Sequence, residues 1–125
     1  MSEPQEVVLH EAIDVDQRRW VYSLSADQAR ALPSWSPEQG PPPLSISVAV
    51  AKAREVAQRR HAGSSALETS MIMLRHTLSC HPVVPVKWYY VIQVVATDRG
   101  EMIPAAGCVV VLMNGTVVTP TDSTD

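Results

Sequence analysis

Five prolines fall within eleven residues, Pro33-Ser34-Trp35-Ser36-Pro37-Glu38-Gln39-Gly40-Pro41-Pro42-Pro43. Each removes a backbone donor and fixes φ, so neither a helix nor a central strand can run through the segment. A chain of 125 residues is thereby cut into a short front part and a longer back part joined by an irregular crossing. Trp35 sits in the middle of that crossing. An indole left in water forgoes about 2 to 3 kcal/mol of burial, so the loop is expected to be an ordered strap pinned by Trp35. The competing use is a polyproline II ligand, which needs an exposed presentation. Only the run Pro41-Pro42-Pro43 supports it, without a Pro-x-x-Pro frame.

In the front part, residues 7 to 13 and 19 to 24 are short β-branched or aromatic runs parted by polar residues, which predicts a hairpin or one interrupted strand. Ser25-Ala26-Asp27-Gln28 has the form of a capping box, so a turn or two of helix follows and ends near Leu32, ahead of Pro33. In the back part, Ser45 can cap a helix from about Ile46 to His61, with Ile46, Ala49, Val50, Ala53, Val56 and Ala57 forming one apolar stripe. Arg59, Arg60 and His61 fall in the last turn, where the helix dipole favours positive charge; a basic binding patch is the rival reading. Gly63 suits the left-handed position after the helix. The remainder is strand-forming: a strand centred on Met71 to Leu74, a turn or edge loop over 79 to 86, and a long strand from Lys87 to Thr97 turned by Asp98-Arg99-Gly100-Glu101. A further strand over Cys108 to Met113 closes through Asn114-Gly115, predicted to be a type I′ hairpin turn. Residues 1–5 and 119–125 are expected to fray.

The fold class expected is α+β in a single domain, 1–125: one long helix packed across an antiparallel sheet of about four to five strands, with a short extra helix and the proline-rich crossing over 33–43. One sheet face is then expected to stay open. With 46% hydrophobic and 18% charged residues the chain has enough apolar material to fold, and a net charge of -3 marks no nucleic-acid partner. No apolar run is long enough to span a bilayer, so neither nucleic acid nor membrane is expected as a partner. The segment Met1-Ser2-Glu3-Pro4-Gln5-Glu6 lacks an export pattern, which makes the cytoplasm the default; a removed leader would make it periplasmic or secreted. Cys80 and Cys108 are expected to be free thiols, although an oxidising compartment would let them pair.

Residues able to carry chemistry are sparse. His76, Cys80 and His81 are the only tight grouping of ligand types, and their spacing fits no paired zinc pattern. Ser79-Cys80-His81 sets a thiol beside an imidazole, but neighbours on an extended chain point to opposite faces and no oxyanion donors lie near. Asp14 and Asp16 suit a turn, no phosphate-binding glycine motif is present, and no cofactor or metal is expected. Trp88 and Tyr90 alternate with Tyr89 along a strand, predicting core on one face and rim on the other.

The helix bearing Ala49 and Ala53, the strand Lys87-Trp88-Tyr89-Tyr90-Val91, and the closing run Val109 to Val118 give a pattern that resembles a PepSY-like, or cystatin-like, α+β module over about 44 to 118. The resemblance implies an extracytoplasmic, inhibitor-like domain without catalytic residues. The function expected is therefore a small non-enzymatic binding or inhibitor-like domain acting through protein contact, with an unidentified protein or a second copy as partner. Its candidate interaction residues are Trp35, Pro41, Pro42, Pro43, Trp88 and Tyr89. The alternative is a small enzyme or ligand-binding protein with a helix–sheet pocket using His76, Cys80 and His81.

Overall fold

The computed structural model describes residues 6–13, 17–60, 66–77, 86–98, 101–103 and 108–122. The chain is α+β, with antiparallel strands throughout. Strand β1 (Glu6–Ile13) pairs with β2 (Arg19–Ser25) as a hairpin. Helix α1 (Ala26–Arg30) follows at once: the Ser25 hydroxyl accepts from the Gln28 amide at 3.1 Å and the Gln28 side chain accepts from the Ser25 amide at 3.0 Å, as the capping box predicts. The proline strap contains a 3-10 turn at Pro37–Gln39, and helix α2 (Ile46–Arg60) comes next. Strands β3 (Ala66–His76), β4 (Trp88–Asp98), β5 (Glu101–Ile103), β6 (Cys108–Leu112) and β7 (Val117–Val118) form a five-stranded sheet in the order β3-β4-β6-β7, with β5 paired to β4. A last strand, β8 (Thr121–Asp122), pairs with β2.

The expected single sheet with one open face is corrected. The described residues form two sheets, β1-β2-β8 and the five-stranded one, and the smaller covers the face of the larger that α2 leaves free. Alternation along β4 and β6 supplies both interfaces. Tyr89, Val91, Val110 and Leu112 pack with Val7, Leu9, Tyr22 and Leu24 of the small sheet, and Ala29 and Leu32 join this core from the α1 side. Tyr90, Ile92, Val94, Val109, Val111 and Met113 pack beneath α2. The register explains why the faces sort cleanly: Tyr89 lies opposite Leu112 and Tyr90 opposite Val111, so like-facing residues stay together across the ladder. Strands buried on both faces need apolar residues at every position, and Val109-Val110-Val111-Leu112-Met113 is such a run.

Helix α2 meets the sheet through Ala49, Ala53 and Ala57, all buried, and methyl side chains let the helix axis approach closely. Ile46, placed on the same stripe by periodicity, is instead half in solvent because it lies in the first turn, beyond the sheet's cover. The closing hairpin is also a correction. The Gly115 amide donates to Leu112 O at 2.9 Å and the Leu112 amide to Thr116 O at 2.8 Å, while only Gly115 takes positive φ, at 90°. This is a three-residue loop with glycine at the left-handed position rather than a type I′ turn, and it leaves Met113 free to bury its side chain under α2. The tail expected to fray from Thr119 departs from that reading at Thr121, which pairs with Val21 on the otherwise open edge of β2. Residues 1–5, Gly63 and 123–125 lie outside the described residues.

Candidate functional site

The strap brings together more of the candidate residues than any other element. It carries the chain from one face of the central sheet to the other, since Leu32 belongs to the core between the sheets while Trp35 and Leu44 pack on the core beneath α2. Three side-chain features fix it as it rounds the start of β4. Lys87, almost fully buried, follows the parity of Tyr89 and Val91 and donates from Nζ to Leu32 O at 2.8 Å and to Ser34 Oγ at 3.2 Å. The Tyr90 hydroxyl donates to Leu44 O at 2.7 Å. Trp35 packs edge-on against Trp88, with ring centroids 6.2 Å apart and planes at 79°. Within the strap, the Ser36 amide donates to the Gln39 side chain at 3.1 Å and Gly40 takes φ 112°, a conformation that favours glycine.

His76 completes this corner. Its ring lies 4.8 Å from Trp88 at 62°, and Nδ1 donates to Thr77 O at 2.7 Å. Thr77 extends the β3–β4 ladder by one step: its amide donates to Lys87 O and its hydroxyl accepts from the Lys87 amide, both at 2.9 Å. The corner is well satisfied apart from one atom, Trp35 Nε1, which is buried without an acceptor among the described residues.

Of the interaction candidates, Trp35 and Trp88 meet each other, Pro41 and Pro43 are exposed, and Pro42 is half-buried. The expected pairing of one core face with one rim face is corrected: Tyr90 is buried beneath α2, and Tyr89, a candidate contact residue, is buried between the sheets with its hydroxyl donating to Leu9 O at 2.5 Å. Of the pocket candidates, His76 is exposed at the end of β3, whereas Cys80 and His81 lie outside the described residues. Cys108 carries a free thiol whose titration burial pushes upward, which disfavours the reactive thiolate. Among the described residues no group of three His, Cys, Asp or Glu side chains is placed to hold a metal ion, and no helix is long and apolar enough to cross a membrane.

Two further places stand out. At the edge of the larger sheet, β3 runs for eleven residues and pairs with β4 alone among the described strands. A shift of register between Thr69 and Met71 divides it, and the regular stretch Met71 to His76 presents Ile72 at 45% exposure. Between the sheets, His10 packs at 5.6 Å from the Tyr22 ring and accepts from Arg75 at 3.4 Å through Nδ1. Burial first and the Arg75 charge second lower its pKa, with Glu11 opposing.

Lys87, Ser34, Thr77 and Arg75 were not among the residues the sequence marked for attention. A lysine directly ahead of a strongly apolar strand, in phase with Tyr89, is the one signal that pointed inward. No protein-family model, curated protein or solved structure matches the chain.

Proposed function

We propose that the chain is a small non-catalytic binding domain that acts through protein contact, and that its contact surface is the outer edge of β3, which takes an extended segment of a partner protein as an added strand. The observation that carries this reading is the regular stretch of β3 from Met71 to His76, on the outside of a five-stranded sheet with β4 as its one neighbour among the described strands. Such an edge offers a row of backbone donors and acceptors, the chemistry an extended peptide satisfies. Ile72 adds an exposed apolar anchor on the stretch where the register is regular. The other surfaces offer less. The second sheet occupies the face once expected to be open, and the strap spends its tryptophan on Trp88. An inhibitor-like role of the PepSY kind would be one form of strand-edge contact.

The test is selection of extended peptides from a displayed library on the whole protein, followed by amide chemical-shift mapping. Selected peptides are expected to move the amides of Met71 to His76 and to lose binding to Ile72→Lys, whose circular dichroism and thermal midpoint are measured alongside. Peptides that map elsewhere, or that bind Ile72→Lys equally well, would overturn the reading.

A further inference from the structure

At the opposite edge of the five-stranded sheet, the last turns of α2 and strand β7 enclose an open cleft of about 360 Å³ lined by Val56, Arg59, Arg60, Val117 and Thr119. Val56 and Val117 are half-buried and pack on the core beneath α2, giving the cleft an apolar floor. The rim is cationic. Arg60 is anchored, with Nη1 donating to Cys108 O at 3.3 Å, a carbonyl that also accepts from the Tyr22 hydroxyl at 2.7 Å. Arg59 bonds Glu55 at 3.2 Å in an exposed pair, a contact that a competing carboxylate can replace at little cost. Among the described residues, the only acid at the rim is Glu55, held by Arg59.

We infer that this cleft binds a small monocarboxylate with a compact apolar body. A guanidinium matches a carboxylate by two parallel N–H donors, and the valine floor suits an aromatic or branched group. A single negative charge fits better than a dianion, because Arg59 already holds Glu55 and Arg60 already donates to Cys108 O, while the dipole at the C-terminal end of α2 opposes added negative charge. The site lies across the sheet from β3, so this inference and the strand-edge reading stand or fall separately.

The experiment is a chemical-shift titration of the whole protein with benzoate, and in parallel with benzyl alcohol and inorganic phosphate. Benzoate is expected to shift the amides of Val56, Arg59, Val117 and Thr119 saturably, with a Kd of about 1 mM, as suits so small a ligand. Benzyl alcohol and phosphate should bind more weakly. Arg59→Gln, on the exposed helix surface, and Arg60→Gln should each weaken benzoate by roughly three- to tenfold. Absence of saturable shifts, equal binding of benzyl alcohol, tighter binding of phosphate, or an unchanged Kd in Arg59→Gln would each overturn the assignment.

Discussion

Trp35 is packed like a core residue yet has an indole N–H that no described residue accepts. A buried unpaired donor costs about 1 to 3 kcal/mol, which offsets much of what the ring contributes by burial. Trp35→Phe keeps a ring against Trp88 and deletes the donor, so urea unfolding should place it within about 1 kcal/mol of the parent. Trp35→Ala should cost about 3 kcal/mol by loss of the ring itself. His10 sets a pH dependence at the same scale. Its folded-state pKa lies below the ordinary value of 6.5, so the unfolded chain binds the proton more readily. The His10 contribution is therefore complete above about pH 6.5 and is lost as pH falls below it. Denaturation midpoints measured at pH 7.5 and 5.5 should show this acid loss, and His10→Gln should reduce it.

The elements were the most legible part of the sequence. Ser25 and Gln28 announced α1, and the spacing of Ala49, Ala53 and Ala57 announced the buried stripe of α2. These signals are local, set by capping bonds and by a period of 3.6 residues. Loop geometry was less legible: Asn114-Gly115 marked the right hairpin and the wrong turn, because burial of Met113 under α2 is a tertiary demand that favours the longer loop. The alanines give a test of how tightly α2 sits. Ala53 is completely buried, so Ala53→Leu has no space to fill and should destabilise by about 1 to 3 kcal/mol in thermal or urea unfolding, with Ala51→Leu, on the exposed side, nearly neutral.

At the scale of the molecule, β4 and β6 are shared by both cores, with alternate residues of each strand facing the small sheet and α2. Neither core can be dismantled without stripping one face of the same two strands. Unfolding is therefore expected to be a single transition, with tryptophan fluorescence and far-ultraviolet circular dichroism coinciding in midpoint and slope. A separate early fluorescence change would show that the strap and Trp35 come away from Trp88 first.

The sequence by itself determined the local pieces: where proline forbids regular structure, where caps start a helix, which residues alternate or recur on one face, and that a mixed α+β chain results. Each rests on interactions within a few residues. Only the tertiary structure decided that the β1–β2 hairpin covers the sheet's second face, that Tyr89 is enclosed, and that Lys87 reaches Leu32 and Ser34 across 55 and 53 positions of chain. Those outcomes depend on which apolar faces find each other, and an alternating strand reads alike whether its second face meets water or another sheet. The uninterrupted runs from Trp88 to Ile92 and from Val109 to Met113 are where the chain itself carried that information, since a strand with a wet face has no use for five apolar residues in succession.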